Sequence, residues 1–575
     1  MAESRAETFA PLLYPTRGAR TATASARLLR YAPPVLLYVG VTYFTEAFFM
    51  GDTVHYVELI MDAPAALLSD FGHLLWFLSG QIMWHTIQAV DGTADRGTLL
   101  TGLIALCWLA GLASTVFLYD LALRIGQRVW IALLVAAALV WSQAFLDYTH
   151  TGCAYVPGLA FFMIGVWLVF RHEDGNPHAT LAGVGAGIAF AVAIGLWFPY
   201  ALAVPGALAA PLLLHGWSKE RFCSAARASI AFALTAAVVY GSAAAAQRIY
   251  TLHGVLAWVS SSSHGIAIAG FSRMVFGFSR SFVNMGNDGV LFKRFLLHDP
   301  FNPVSLVELM RVSLGKLALV YLFFAVVFAA LAVSAKGRRY LAFVAVSALP
   351  IIAFAWSWQG GDMERYLPLY PVLFVSLAYA LSEGPWVRFV RLAAVLFAVF
   401  LIAVDTGPLS RSAAERRQAD VMRRIDEIQQ SWKPGSHIAT VLWQDDVTSF
   451  YWNYPFNPIN RSGILSQPRG DVPVVFDIVD RNSPNAPRWR QIFAADALAV
   501  WSRGGDMWVS KEAFSPRPDS AWVEGDDPTV PWPDVPGFFT TLDTSRSVGG
   551  ENGFLLLAPS SHNRQILTQL AVEEN

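Results

Sequence analysis

Runs of apolar residues long enough to cross a lipid bilayer recur along most of this chain. A spanning helix needs about 20 mostly apolar residues. Only 14% of the residues are charged, against about a quarter in soluble domains. The chain is therefore expected to be an α-helical polytopic membrane protein. About eleven transmembrane helices are predicted, at residues 32–50, 98–119, 128–147, 155–170, 180–197, 199–215, 228–246, 316–335, 340–357, 367–382 and 390–405.

The distribution of basic residues predicts the orientation of these helices. "RLLR" precedes the first span, which puts the N-terminal segment 1–30 in the cytoplasm. Alternation of the spans then makes five further basic or mixed-basic loops cytoplasmic: 124–128, 171–178, 218–227, 336–339 and 386–391. The opposite side receives the loops 51–97 and 247–315, the short loop "QGGDMERYLP" and everything after about residue 406. A bacterial inner membrane with a periplasmic C-terminus is the expected location.

The chain changes character after the transmembrane domain, which is expected to cover residues 31–405. Pro, Asp, Ser and Arg become more frequent in 406–575, and no further spanning run occurs there. "HIATVLW" and "PVVFDIV" are typical of strands, and "DALAVWS" and "GFLLLAP" are weaker examples. Residues 406–575 are therefore predicted to form a small external α/β domain.

Charge and cysteine usage exclude several classes of function. The formal net charge of −1 gives no overall field to attract nucleic acid. The three cysteines, Cys107, Cys153 and Cys223, indicate neither a disulfide framework nor a zinc site. No metal-ligand cluster is evident, and the sequence leaves open whether a divalent metal is needed.

The segment "FFMGDTVHYVEL" places an aspartate directly after the first apolar run. Asp52 either caps and solvates a helix end or serves as a general base at the membrane boundary. Apolar residues between the polar positions of this loop predict helices lying along the membrane surface. Such helices would bring Asp52 together with Asp70 and His73, and we take these three as the candidate catalytic residues.

Two other outer segments carry arginines that suit an anionic ligand. In "SWQGGDMERYLPLYP", Arg365 could bind a lipid phosphate beside Glu364 and Tyr366, or it could form an ordinary ion pair with Glu364. The Phe-rich basic loop 247–315 contributes Arg280 and Lys293, which either line a groove for an anionic lipid head or belong to a re-entrant segment packed on the domain.

Together these segments resemble the GT-C superfamily of membrane glycosyltransferases, which includes protein mannosyltransferases and the lipid A aminoarabinose transferase. The resemblance covers roughly residues 30–405. It implies an inverting transferase that takes a sugar from a polyprenyl-phosphate donor on the outer face. The implied acceptor is an envelope glycan, a lipid or a protein.

The resemblance also assigns roles to individual residues. "GDTVHYV" is similar to an Asp-Glu-x-x-Tyr segment, which makes Asp52 the catalytic base and Tyr56 its structural neighbour, with Thr53 in place of the second acid. "DFGHLLW" is similar to a His-Pro-Pro-Leu segment, in which His73 matches the histidine. "ERYLPLYP" matches an Arg-Tyr-x-x-Pro segment, which gives Arg365 a phosphate-binding role.

Three other functions compete with this interpretation. A transporter would show two repeated halves and charges in the middle of the membrane, whereas the charged residues within these spans are few and lie near span ends. A polysaccharide polymerase or ligase would share the long outer loop with arginines and histidines. A non-catalytic envelope scaffold would keep the fold without the chemistry.

The predicted orientation is tested by a reporter fused after Asn575. An enzyme that is active only outside the cytoplasm should show activity there, because an odd number of spans follows a cytoplasmic N-terminus. A cytoplasm-specific reporter that is active at the same position would contradict the orientation.

Overall fold

The structure, a computed structural model, is described for seventeen parts of the chain. These are residues 29–47, 52–62, 68, 70–92, 94, 96–171, 179–261, 270–285, 305–309, 314–384, 386–416, 433, 435–440, 474–477, 489–514, 535–548 and 554–572. They form two compact units, each treated separately below. The first draws on described residues up to Thr86 and within 101–284 and 316–411; the second draws on those within 87–100, 285–315 and 412–575.

Helices account for the regular structure up to Asp405. In chain order they are α1 Ala32–Phe44, α2 Thr53–Asp62, α3 Leu74–Val90, α4 Arg96–Gly126, α5 Val129–Val140, α6 Gln143–Tyr148, α7 Tyr155–Arg171, α8 Ala179–Leu196, α9 Val204–His215, α10 Lys219–Ala246, α11 Leu252–Ser261, α12 Phe271–Phe282, α13 Leu306–Leu309, α14 Gly315–Ala332, α15 Ala335–Ser357, α16 Tyr370–Ser382 and α17 Val387–Asp405. Short 3₁₀ helices occur at Phe198–Leu202 and Met363–Leu369.

Each of the eleven predicted spans coincides with helical structure, which confirms the helical membrane fold. Within the described residues, six helical segments are long and apolar enough to cross a membrane, and four shorter apolar helices accompany them. Leucines and valines on α10 and α17, such as Leu234, Val238 and Val399, are exposed, as expected of side chains that face lipid.

Two predicted boundaries were wrong in detail. The span 128–147 is divided, because α5 ends at Val140 and α6 begins at Gln143. The loop 218–227 is mostly helical, since α10 begins at Lys219, where Ser218 accepts a capping hydrogen bond from the Arg221 amide. The predicted interruption near Pro199 and Pro205 is confirmed by the 3₁₀ turn that separates α8 from α9.

The second unit contains a five-stranded mixed sheet. Its strands are β1 His437–Thr440, β2 Val474–Asp477, β3 Met507–Ser510, β4 Thr544–Val548 and β5 Phe554–Leu557. They lie in the order β2-β1-β3-β5-β4. Strand β1 is parallel to β2 and β3, whereas β5 is antiparallel to β3 and β4.

Among the described residues after Ser412, this unit also has three α-helices, α18 Trp489–Ser502, α19 Val535–Phe539 and α20 Ser561–Val572, and a short 3₁₀ helix at Lys511–Phe514. The prediction of a small α/β unit is confirmed. The segment "DALAVWS" is not a strand, because it forms the end of α18. Trp489, Phe493, Ala497 and Val500 recur at helical spacing, and this face lies in the core.

In the first unit, α12 packs tightly on the loop that follows α15. A Cβ added to Gly277 would collide with the Gly360 carbonyl oxygen, and one added to Gly360 would lie 3.0 Å from the Met274 Cα atom of α12. The Tyr366 hydroxyl also donates toward the Gly360 and Met274 carbonyls, at 2.7 Å and 2.8 Å. This packing fixes the path of the loop that carries Arg365.

Gly277→Ala should therefore destabilise the first unit. The new methyl group would meet main-chain atoms, and overpacking of this kind costs about 1–3 kcal/mol. Thermal unfolding in detergent measures the effect. Gly241→Ala in α10 is the matched control, because a Cβ there meets nothing within 4 Å. Equal unfolding temperatures for the two variants would contradict the close packing.

Candidate functional site

Asp52 lies immediately before α2 with its side chain exposed. The Tyr155 hydroxyl donates a hydrogen bond to its Oδ2 atom at 3.0 Å, and the Tyr56 hydroxyl lies 3.4 Å from the same atom. The other carboxylate oxygen is not engaged in either contact. The aspartate is thus held by neighbouring hydroxyls while its charged group reaches the surface.

Thr53 stands where the Asp-Glu-x-x-Tyr segment has its second acid, and its contacts help to hold Asp52 in position. Its fully buried hydroxyl donates to the Thr151 carbonyl oxygen at 2.6 Å and lies 3.0 Å from the Cys153 sulfur. Gly152 adopts a positive φ of 78°, which lets this turn come close to Thr53. These contacts attach the start of α2 to the turn that leads into α7.

Asp70 and His73 join Asp52 through Tyr56. The Asp70 Oδ2 atom lies 2.9 Å from His73 Nδ1, and its Oδ1 accepts from the Gly72 amide. His73 Nε2 lies 3.1 Å from the Tyr56 hydroxyl. Burial raises the pKa of Tyr56 well above its usual value, and the nearby Asp52 charge adds to this, so the phenol stays protonated. The three predicted catalytic residues therefore belong to one connected group.

Arg365 occupies an aromatic cage at the start of the second 3₁₀ helix. Its guanidinium lies 4.1 Å from the Trp358 ring centroid, with Phe354 and Trp197 at 5.8 Å and 5.9 Å. Arg365 Nη2 donates to Gln359 Oε1 at 2.8 Å. The side chain is only 8% exposed, and its Nε has no hydrogen-bond partner among the described residues. The cage thus holds a cation whose Nε makes no hydrogen bond, although it lies within ion-pair distance of Glu364.

Glu364 lies between the arginine and the tyrosines near Asp52. Its Oε2 accepts from the Tyr148 hydroxyl at 2.8 Å, and its Oε1 lies 3.8 Å from Arg365 Nε. Burial raises the pKa of Tyr148 well above its usual value, and the Glu364 charge raises it further, so Tyr148 remains a proton donor.

The rings of Tyr155 and Trp197 connect the arginine to the aspartate, and Tyr148 packs against Tyr155. The Tyr148 and Tyr155 ring centroids are 4.7 Å apart, and the Tyr155 and Trp197 centroids are 4.9 Å apart. Tyr155 binds Asp52, whereas Trp197 lies beside Arg365. A carboxylate and a caged cation thus share one site, built from the turns after α1, α6 and α15.

The other predicted phosphate-binding residues differ in position. Arg280 Nη1 lies 3.4 Å from the Gly361 carbonyl oxygen, so it contacts the same loop as Arg365. The Tyr366 hydroxyl is occupied by two main-chain carbonyls, and we expect it to position the loop rather than to contact a phosphate. Lys293 lies outside the described residues.

Sequence reasoning missed Tyr148, Tyr155, Trp358 and Gln359. Tyr148 and Tyr155 lie in the turn "LDYTHTGCAY", another polar segment between apolar runs, and Trp358 and Gln359 lie in the segment that contains Arg365. His150 in the first of these segments contacts Glu46 and Thr45, at 3.9 Å and 3.4 Å. Within the described residues, no three His, Cys, Asp or Glu side chains are grouped so that they could hold a metal ion.

Comparison with known proteins identifies the fold. No protein-family model and no curated protein matches this sequence. The structure is similar to that of ArnT from Cupriavidus metallidurans bound to undecaprenyl phosphate, with a TM-score of 0.50 and 12% identity, over 94% of this chain and 99% of that chain. The chain has the GT-C fold. The apo form of the same ArnT is also similar, with a TM-score of 0.47 and 11% identity over 94% of this chain and 99% of that chain.

This result agrees with the fold that the GT-C resemblance implies. It also extends it, because the similarity covers the C-terminal residues in which no motif was recognised. The similarity is one of fold, and it extends over 94% of this chain. At 12% identity, the roles of individual residues depend on the geometry of this chain.

Proposed function

We propose that this protein is an inverting glycosyltransferase that moves a sugar from a polyprenyl-phosphate carrier to a glycan, lipid or protein acceptor on the outer face of the membrane. The observation that carries the proposal is the common site of Asp52 and Arg365. Tyr155 donates to the exposed Asp52 carboxylate, and its ring partner Tyr148 donates to Glu364, the neighbour of the caged Arg365. The ArnT with the same fold was crystallised with undecaprenyl phosphate.

Asp52 has the chemistry of a general base. Its side chain is exposed, so an acceptor hydroxyl can reach it. Deprotonating that hydroxyl increases its nucleophilicity as it attacks the anomeric carbon. The Tyr155 hydrogen bond fixes the Oδ2 atom, which leaves Oδ1 as the atom that would take the proton.

Arg365 has the chemistry of a leaving-group binder. As the bond from sugar to phosphate breaks, negative charge develops on the lipid phosphate, and a positioned cation stabilises it. The flat guanidinium, whose Nε makes no hydrogen bond, suits a phosphate with two oxygens in one plane. Glu364 on one side and Gln359 on the other would keep the guanidinium oriented.

The predicted orientation of this site suggests where the protein lies in the cell and how the sugar donor reaches it. In the predicted orientation, the turns after α1, α6 and α15 lie on the outer face, where a lipid-linked sugar would be presented. We propose the bacterial inner membrane with a periplasmic C-terminal unit. A polyprenyl chain would lie among the lipid-facing helices while its phosphate reaches Arg365.

Asp52→Asn tests the proposed base. Asparagine keeps the size and a capping oxygen but accepts no proton, so kcat should fall by about 100-fold to 10,000-fold. Binding of the donor should survive, because Asp52 does not hold the phosphate. The assay uses purified protein and a polyprenyl-phosphate sugar.

Glu383→Gln is the matched control for this variant. Glu383 is an exposed carboxylate paired with Lys336, and its replacement should leave turnover unchanged. Turnover of Asp52→Asn close to that of the control would show that Asp52 only caps or solvates α2.

Arg365→Lys tests the phosphate role. Lysine keeps the charge but loses the planar fork and the stacking on Trp358, so donor binding should weaken about 10-fold to 100-fold, as for the loss of one charged hydrogen bond. The measurement is binding of a polyprenyl phosphate in detergent.

Arg391→Lys is the matched control for the arginine. Arg391 stacks on Trp130 at 5.1 Å and donates its Nε to the Leu381 carbonyl, but it belongs to a different part of the first unit. Unchanged donor binding in Arg365→Lys would reassign Arg365 to an ion pair with Glu364.

A further inference from the structure

The last residue of α17 is an aspartate that lies completely inside the first unit. Asp405 has no exposed surface, and its Oδ1 atom accepts a hydrogen bond from the main-chain amide of Asn284 at 2.7 Å. Its Oδ2 atom makes no hydrogen bond among the described residues. An acidic side chain at a helix C-terminus faces the negative end of the helix dipole, and burying an oxygen without a hydrogen bond adds a further cost. The stability of α17 therefore does not explain an aspartate at this position.

Asn284, the residue that Asp405 binds, marks the end of α12. It follows the last residue of that helix by two positions, and its main chain is held on both sides. Asp405 of α17 accepts from its amide, and Lys316 Nζ at the start of α14 donates to its carbonyl oxygen at 3.2 Å. Asn284 is only 2% exposed, so its amide would be costly to leave without an acceptor. Two neighbouring helices thus anchor the end of α12 at one residue.

Helix α12 in turn supports residues 358–365, which we call the Arg365 loop. Gly277 of α12 lies so close to the loop that a Cβ there would collide with the Gly360 carbonyl oxygen. One turn further on, Arg280 Nη1 lies 3.4 Å from the Gly361 carbonyl oxygen. Because main-chain atoms of the loop rest directly on the helix, the direction of α12 determines where the loop lies.

We propose that Asp405 is a positioning residue that holds the Arg365 loop in place through α12. Its carboxyl oxygen anchors the Asn284 amide, the anchored end directs α12, and α12 supports the loop at Gly360. The proposal rests on the proposed function only in taking Arg365 as the phosphate-binding residue. The mechanical connection itself is a property of the free protein.

The residues that follow Asp405 hold the end of α1 by different contacts. The Glu46 amide donates to the Leu409 carbonyl oxygen at 2.8 Å, and Thr45 forms an isolated antiparallel bridge with Ser410. Both contacts use main-chain atoms of residues 409 and 410, so a change of the Asp405 side chain removes neither. Helix α2, which follows α1 in the chain, therefore serves as an internal control.

Other contacts also support α12, so loss of the Asp405 hydrogen bond should loosen this helix rather than release it. The Tyr370 hydroxyl donates to the Ser281 carbonyl oxygen, and the Tyr321 hydroxyl donates to the Val275 carbonyl oxygen at 2.9 Å. We therefore expect a moderate effect on the Arg365 loop and not its complete loss.

Three variants of the full chain test the anchor. Asp405→Leu keeps a similar volume but offers no acceptor to the Asn284 amide. Asp405→Asn is the rescue variant, because it keeps a side-chain oxygen and changes only the Oδ2 position, which makes no hydrogen bond among the described residues. Lys316→Met removes the second support of Asn284 and takes the place of Asp405→Leu if that variant fails to fold.

Asp120→Asn is the control for general destabilisation. Asp120 is also a buried carboxylate in a helix, and it accepts hydrogen bonds from Arg30, Arg124 and Trp167. Arg30 lies before the start of α1, at the opposite end of that helix from the contact with Leu409. The control should lower the unfolding temperature without changing the Arg365 loop.

Hydrogen exchange followed by mass spectrometry measures the loop without any substrate. In Asp405→Leu, amides in residues 271–284 and 358–369 should exchange about tenfold faster than in the wild type, the change expected for the loss of one hydrogen bond. Amides of α2, Thr53–Asp62, should exchange at the wild-type rate. Asp405→Asn should match the wild type in all three segments.

Binding of a polyprenyl phosphate in detergent measures the consequence at Arg365. A titration gives the Kd and the number of binding sites separately. In Asp405→Leu the Kd should rise about tenfold with the number of sites unchanged, whereas a purely structural defect would reduce the number of sites and leave the Kd as it was. Asp405→Asn and Asp120→Asn should keep the wild-type Kd.

Three results would overturn the proposal. The first is wild-type exchange in residues 358–369 of Asp405→Leu, or of Lys316→Met where that variant replaces it. The second is a defect in Asp405→Asn as large as that in Asp405→Leu, and the third is an equal rise of the Kd in Asp120→Asn. A wild-type protein that binds no polyprenyl phosphate would refute the proposed function instead, and the exchange rates would still decide the role of Asp405.

Discussion

The absence of water from the bilayer core is the constraint on which this structure depends. Main-chain groups there must be paired within helices, so irregular backbone and most polar chemistry are confined to the turns between helices. In the first unit, Asp52 lies just before α2, Tyr148 is the last residue of α6, and Arg365 lies in the 3₁₀ helix that follows α15. Their convergence, held by the Thr53 hydroxyl and by the Gly277–Gly360 contact, creates the candidate site.

In the proposed mechanism, proton transfer and phosphate binding take place at separate residues of the site. Asp52 is exposed and hydrogen-bonded on one oxygen, which suits a group that must gain and lose a proton. Arg365 is buried among aromatic rings, where a cation interacts more strongly with a phosphate than it would in water. Tyr148, Tyr155 and Glu364 connect the two residues through short contacts.

The local sequence pattern predicted the helices and two residues of the candidate site, Asp52 and Arg365. It did not predict residues whose contacts form only when distant segments of the chain meet. Asp52 and Arg365 stand out because each directly borders an apolar run. Tyr155 and Trp358 carry no comparable signal, since their roles arise only when distant turns meet. The strand predicted at "DALAVWS" failed because short-range β preference gave way to the buried helical face of α18.

The most direct test of a shared site is an experimental structure of the protein with polyprenyl phosphate in a lipid nanodisc. We expect the phosphate against the Arg365 guanidinium within hydrogen-bond distance, about 3 Å, and on the same side of the Tyr148–Tyr155 pair as Trp358. The Asp52 carboxylate should face the space left for a sugar between them. Phosphate density bound elsewhere, with the contacts of Arg365 to Gln359, Glu364 and Trp358 unchanged, would contradict the account.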